Sequence, residues 1–314
     1  MCYAGEDSGD MTRTSAPGTV VVGYDGSHHA DQALTWAAEL ASLEKRILTI
    51  VHVIKPVTAL ELGSLAYANM IPTEVRDAVR EAGRTLMFEA RARIKKANPD
   101  LEVATVLGEG DPRKILLGLS ENAECLVLGS RGRGRLSSLL LGSVSVAVSR
   151  FAECPVVVVR PYNRGTVRNG VLVGTDGTER TATTVEFAYR QASMRNLPLT
   201  VLYCVPFVND SKLPNGILDD DLPGLEEHRL LLAESVAGME EKFPDVRARL
   251  RIGQGIADKC LIEASPTMDL VVVGHHASGA PGDLVGLGSF APVVVEGSAC
   301  PVAVVCSTGE AQDA

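Results

Sequence analysis

Val20-Val-Val-Gly-Tyr-Asp-Gly-Ser27 is a β-branched run closing on a glycine turn, and the chain carries it twice. Val171-Leu-Val-Gly-Thr-Asp-Gly-Thr178 follows at an offset of 151 residues. Two further blocks return in the same order. Leu126-Val-Leu-Gly129 recurs as Val271-Val-Val-Gly274 at an offset of 145, and Cys154-Pro-Val-Val-Val-Val159 as Cys300-Pro-Val-Ala-Val-Val305 at 146. Three blocks at nearly one spacing mark a tandem duplication. The turn-rich stretch Pro161-Tyr-Asn-Arg-Gly-Thr166 reads as the joint. The expected division is a tail over 1–17, a first domain over 18–162, a second over 163–308 and a short tail over 309–314.

Within each copy, strand and helix signals alternate. In the first, short Val/Ile/Leu runs predict strands over Thr19–Tyr24, Ile47–Ile54, Leu101–Leu107, Cys125–Gly129 and Val156–Arg160. Ser27 stands ready to cap a helix carrying Ala30, Ala33, Leu34, Ala37 and Leu40 at helical spacing. Thr73–Ala97 spaces its apolar residues among many charges, as a long surface helix does. Pro112–Ser120 opens with proline just after Asp111 as a cap, and Gly142–Phe151 completes the set. The second copy is expected to follow the same order. Strands that are apolar without alternation belong to a parallel sheet covered on both faces. With right-handed crossovers, the fold class is α/β: two tandem doubly wound, Rossmann-like domains. Such sheets bind ligands beyond the carboxyl ends of their strands, where the strand order reverses.

Composition narrows the function. The chain has 314 residues, 46% hydrophobic but only 4% aromatic, so its core is aliphatic. Net charge is −9, against a nucleic-acid binder that works through a global positive field. No apolar run approaches the 18 or so residues of a membrane span, and the small, acidic-polar N-terminus lacks the pattern of a secretory leader. Seven cysteines without a C-x-x-C read as reduced core thiols, and a cytoplasmic location is expected.

The loop after the fourth strand of the first copy carries the chemistry: Gly129-Ser-Arg-Gly-Arg-Gly-Arg-Leu-Ser-Ser-Leu-Leu-Leu-Gly-Ser-Val-Ser145. Gly129, Gly132 and Gly134 let backbone N–H groups curl round an anion, while Arg131, Arg133 and Arg135 supply charge. Gly142 opens a helix whose N-terminus adds its partial positive charge. Ser143 and Ser145 can donate hydroxyls to phosphate oxygens or a bound metal, and Ser130 and Val144 complete the candidate set. No G-x-x-x-x-G-K-[ST] occurs, and the glycines do not fit the dinucleotide fingerprint. A flexible basic surface loop is the competing reading.

Gly129-x2-Gly132-x9-Gly142-Ser143 has the G-x2-G-x9-G-[ST] spacing of the ATP-binding universal stress proteins, and the chain resembles that family. Asp25-Gly-Ser27, Gly110-Asp-Pro112 and the Cys-Pro before the last valine-rich strand are similar to it too, and the resemblance as a whole covers nearly the whole chain, one unit per copy. The resemblance implies a sheet ordered 3-2-1-4-5 with ATP, accompanied by Mg²⁺, between strands one and four. It places Gly23 and Asp25 toward the ribose and Val53 beside the adenine. Gly129, Gly132, Gly142 and Ser143 would take the phosphates. It also implies pairing of the two domains through their fifth strands, and leaves a homodimer and a regulatory protein partner open.

The second copy departs from the pattern. Ala277 stands where the second motif glycine is expected, one residue is inserted before Gly288, and no basic residue lies between Gly274 and Ser289. Residues 1–164 hold 19 basic and 19 acidic side chains, and residues 165–314 hold 11 and 20. The whole net charge of −9 therefore lies in the copy with the altered loop, which disfavours a triphosphate there. His275 and His276 read as exposed loop residues, and His28 and His29 as solvated or capping positions. The leading reading is a nucleotide-binding stress-response regulator acting through conformation or partners. The alternatives are a slow ATPase or other adenine-nucleotide enzyme, for which no base stands beside the loop, and an interaction module without nucleotide.

Overall fold

The computed structural model describes residues 17–55, 73–132, 141–161, 169–205, 216–219, 222–276 and 290–307. The expected tails fall almost wholly outside this set, as do residues 162–168 of the joint. The first domain runs β1 (Thr19–Gly23), α1 (His28–Glu44), β2 (Leu48–Ile54), α2 (Thr73–Ala97), β3 (Val103–Glu109), α3 (Pro112–Ser120), β4 (Ala123–Gly129), α4 (Ser143–Phe151) and β5 (Val156–Val159). The second runs β6 (Val171–Thr175), α5 (Ala182–Arg195), β7 (Leu199–Val205), β8 (Gly216–Ile217), α6 (Glu226–Glu234), α7 (Met239–Lys242), β9 (Ala248–Gln254), α8 (Ala257–Ala264), β10 (Leu270–His276), α9 (Phe290–Gly297) and β11 (Val302–Ser307).

One eleven-stranded sheet crosses the molecule in the order β3-β2-β1-β4-β5-β11-β10-β6-β7-β9-β8. Each half has five parallel strands ordered 3-2-1-4-5, the second with β8 added antiparallel outside β9, and the halves meet where β5 pairs antiparallel with β11, Val157 opposite Ala303. That pairing removes two sheet edges that would otherwise expose unpaired N–H and C=O groups. It also explains Val156–Val159, four consecutive valines that are 0–1% exposed. A strand paired on both sides and covered on both faces has no polar side, so β-branched residues can fill every position.

Across the seam α1 packs on α5. Arg190 reaches back to Glu124 at 2.6 Å, Arg46 holds the same carboxylate at 2.9 Å, and the Arg195 guanidinium stacks 4.6 Å over the Trp36 ring. The two copies also end their first helices alike. Lys45 (φ 52°) and Asn196 (φ 50°) both take the left-handed conformation that returns the chain toward the sheet.

Three expectations need correction. β3 starts at Val103 rather than Leu101, because Leu101 N–H bonds the Asn98 carbonyl and closes the turn after α2 with its side chain tucked in. The second domain does not repeat the first element for element. Gly238 (φ 77°) breaks its second helical stretch into α6 and α7, and β8 adds an antiparallel strand that covers the outer edge of β9. Finally, β10 continues through His275 and His276, which pair with Cys306 and Ser307 of β11, and His275 is buried rather than exposed on a loop. The six described cysteines carry thiols rather than disulfides, and burial pushes Cys154 up to about 12. No helix among the described residues is long and apolar enough to cross a membrane.

Candidate functional site

The carboxyl ends of β1, β2 and β4 open onto a cleft of about 520 Å³, closed on its remaining sides by α3 and the start of α4. One half is apolar: Val51, Val53, Leu116 and Leu128 form its wall, with Val79 of α2 at the rim. The other half is polar, with Asp25, Arg131 and Ser143. Its floor is set by local chemistry. Gly26, at φ 76°, makes the turn after β1, and Asp25 Oδ1 accepts the Ser27 N–H at 3.0 Å. Ser27 Oγ in turn accepts Ala30 N–H and caps α1. On the neighbouring strand His52 Nδ1 lies 2.7 Å from the Tyr24 carbonyl oxygen. A carbonyl can only accept, so Nδ1 is the donor.

The two arms of the glycine loop are tied to one another. Gly142 N–H donates to Ser130 O at 2.8 Å, Ser145 Oγ donates to Gly129 O at 2.8 Å, and Ser130 N–H donates to Val159 O at 2.9 Å. This brings Gly129–Gly132 and the first turn of α4 side by side. Asp111 caps α3 and Ser27 caps α1 through their side chains, but α4 begins at Gly142, which has no side chain to offer. The first-turn N–H groups of α4 therefore open on the cleft with the positive end of the helix dipole behind them.

The glycines serve proximity rather than unusual backbone. None of Gly129, Gly132 and Gly142 has a positive φ, so a left-handed backbone is not what requires glycine there. A Cβ on Gly129 would stand 2.7 Å from the backbone C and O of His29, and one on Gly132 would stand 2.6 Å from Asp25 Oδ2. The loop thus approaches α1 and Asp25 more closely than any side chain allows.

Of the sequence-derived candidates, Gly23, Asp25, Val53, Gly129, Arg131, Gly132, Gly142, Ser143, Val144 and Ser145 line this one cleft. Ser130 does not. It is 2% exposed, and its hydroxyl lies 3.3 Å from His29 Nδ1 behind the loop. Ser145 lines the cleft, but its hydroxyl is spent on Gly129 O. Arg133, Gly134 and Arg135 lie outside the described residues. His29 is half-buried beneath the loop rather than solvated. Burial, then the Arg131 charge, hold its imidazole below the ordinary value, so it is neutral at pH 7. Sequence reading missed Tyr24, His52, Pro112 and Leu116 as lining residues. Pro112 and Leu116 could have been found from Gly110-Asp-Pro112, which aims α3 at the cleft.

In the second domain the matching turn is engaged by its own chain. Asp176 Oδ1 accepts Thr178 N–H at 2.9 Å, Thr178 Oγ1 at 2.7 Å and Thr181 Oγ1 at 3.1 Å. Leu231 of α6 packs so close to Gly177 that a Cβ there would meet it at 2.6 Å. Tyr203, in the β7 position that matches His52, stacks on His228 of α6 at 5.7 Å. Residues 277–289, the counterpart of the glycine loop, lie outside the described residues.

Comparison with known proteins agrees with this geometry. The sequence profile of the universal stress protein family matches residues 18–160 and again 168–305. A universal stress protein of Mycolicibacterium smegmatis is 31% identical over 300 residues, covering 94% of this chain and 99% of its own. One from Mycobacterium tuberculosis is 33% identical over 292 residues, covering 91% and 96%. Among solved structures, a universal stress protein from Archaeoglobus fulgidus superposes with a TM-score of 0.65 at 20% identity, over 93% of this chain and 98% of that one. The chain therefore belongs to the universal stress protein family, as a tandem of two such domains.

Proposed function

We propose that the first domain, residues 18–162, binds ATP with Mg²⁺, and that the protein acts as a stress-response regulator through nucleotide-dependent conformation or partner binding. The observation that carries the reading is the cleft itself. Its lining joins apolar side chains suited to a purine with a polar part where glycines bring the backbone against Asp25 beside an α4 N-terminus whose N-cap, Gly142, has no side chain. That combination fits a ligand with a flat apolar end and a polyanionic end. The G-x2-G-x9-G-[ST] spacing supports the same ligand. Asp25 and the Ser143 hydroxyl are the groups that would face the metal. No cluster of three metal-ligating side chains occurs among the described residues, so the ion would arrive on the phosphates, as Mg²⁺ does where one carboxylate and a triphosphate share it.

Binding rather than turnover is proposed because the fold gives Asp25 and His52 structural roles, Asp25 Oδ1 holding Ser27 N–H and His52 Nδ1 holding Tyr24 O. We assign a single nucleotide per chain, since Asp176 and Gly177 of the second domain are occupied by Thr178, Thr181 and Leu231. Calorimetric titration of the full chain with Mg-ATP tests both statements. One site per chain is expected. No binding would remove the nucleotide reading, and two equivalent sites would remove the asymmetry.

A further inference from the structure

Arg160 belongs to the first domain but serves the second. It follows Val159 at the end of β5, and its Nη1 donates to the carbonyl oxygens of Val295 at 2.9 Å and Glu296 at 2.7 Å. Those carbonyls lie in the last turn of α9, where a helix has run out of its own N–H donors. A guanidinium there also meets the negative end of the helix dipole. One domain thus supplies the C-terminal cap of a helix in the other.

The same residue borders the glycine loop. Gly129 pairs in register with Val159, and Ser130 N–H donates to the Val159 carbonyl, directly before Arg160. Burial first, then the neighbouring charge of Arg131, hold Arg160 below its ordinary value, while Glu296 of α9 works the other way. Arg131 lines the cleft and Arg160 faces the seam, and the Ser130–Val159 hydrogen bond holds the residues just before each of them together. A second route joins the same places, because α4 starts in the cleft at Ser143 and packs against α9.

We propose that Arg160 couples the first-domain cleft to the seam: an anion seated between Gly129–Gly132 and Gly142–Ser145 offsets the positive charge beside Arg160 and tightens its hold on the Val295 and Glu296 carbonyls. This rests on the reading that the cleft takes a polyphosphate. By linkage, whatever α9 gains from an occupied cleft, the ligand gains from an intact cap. Arg160 is a positioning residue, not a ligand-contacting one. Because a single nitrogen serves both carbonyls, lysine can replace it in part, whereas methionine cannot.

The experiment is hydrogen exchange of the full chain with and without saturating Mg-ATP, read on peptides spanning residues 290–299. Occupancy should slow exchange in the last turn of α9 by about two- to fivefold, the scale of a charge at a helix terminus. In Arg160→Met the slowing should vanish, and ATP affinity should fall by the same factor. Arg160→Lys should restore part of both. ATP binding by calorimetry with unchanged α9 exchange in the parent chain would overturn the coupling, whether or not Arg160→Met folds. Slowing that persists in a folded Arg160→Met would overturn the assignment to this residue. Failure of ATP to bind at all would instead remove the reading beneath it.

Discussion

Gly132→Ala separates a ligand cradle from a packing glycine. The added methyl lands 2.6 Å from Asp25 Oδ2 and 3.7 Å from its Cγ, and the backbone of Gly132 is in a region alanine adopts freely. The strain falls on the end of one side chain, so the carboxylate turns away and the fold stays. A charge-assisted hydrogen bond that Asp25 accepts from a ligand hydroxyl is worth about 1.5–3 kcal/mol. Its loss weakens ATP binding by about 10- to 100-fold. Stability should change by no more than about 1 kcal/mol, or roughly 2–4 °C in Tm for a domain of this size. Gly129→Ala is the contrasting case. Its methyl meets His29 C and O at 2.7 Å and Ala30 N at 3.0 Å, all backbone of α1. Nothing there can rotate away, and overpacking of this kind costs about 1–3 kcal/mol. Titration calorimetry and thermal melts on both variants give two numbers each, and the reasoning expects affinity to fall in the first and Tm in the second. A Gly132→Ala protein that binds ATP as tightly as the parent would refute the role of this loop.

Lys45→Gly should stabilise the chain by about 1 kcal/mol, since Lys45 is exposed and takes a left-handed conformation that costs a side-chain-bearing residue roughly that much; denaturant melts read it. Glu44 sits in the α1–α5 seam with its side chain 6% exposed. Burial raises its pKa against the opposing pull of Arg190, with Glu124 adding to the rise, so the fold favours the protonated carboxyl and loses stability as pH climbs through that value. Glu44→Gln should therefore raise Tm at pH 8 and leave it unchanged at pH 3, where both states are already protonated. Asp111 is lowered to about 2, chiefly by the Arg113 side chain and then by its backbone N–H. A depressed carboxylate stabilises above its unfolded pKa and loses that contribution as pH falls toward 2. Its carboxyl carbon should titrate near 2 by NMR and return toward the ordinary 3.9 or so in Arg113→Gln.

The elements most legible in the sequence were those whose ends carry their own chemistry. The limits of α3, Pro112–Ser120, follow from Asp111 as cap and Pro112 at the first turn, and Thr73–Ala97 from its sustained helical pattern. The start of β3 was not legible, because Leu101 is as apolar as a strand residue while its backbone closes a turn on Asn98. His29 and His275 were misjudged for one reason. Hydrophilicity places histidine outside, whereas their exposure depends on what folds over them: the Gly129–Ser130 loop for one, and two extra residues of β10 against β11 for the other. Arg160 gave no signal at all. An arginine ending a strand is ordinary, and its partners Val295 and Glu296 lie some 135 residues away.

The two halves of the candidate motif have different physical owners, and this accounts for their unequal fates in the two copies. Gly26 and Gly177 both sit at φ 76°, a conformation that a side chain resists. The turn after the first strand needs that geometry in either domain to start its helix, whether or not anything binds. Asp25 and Asp176 likewise hold the N–H two residues on, at 3.0 and 2.9 Å. The front half is thus kept by folding alone. Gly132 has no such duty. Its backbone would accept alanine, and only the approach to Asp25 Oδ2 forbids a methyl. In the second domain Asp176 Oδ1 accepts from the Thr178 and Thr181 hydroxyls, and the sequence carries Ala277 where the second motif glycine is expected. A glycine required by φ, or by α1 backbone as Gly129 is, reports the fold, whereas Gly132 is spared a methyl only for the sake of Asp25. On the proposed single-nucleotide reading, the second domain keeps the turn that folding needs, and its sequence departs from the motif only at positions that folding does not fix.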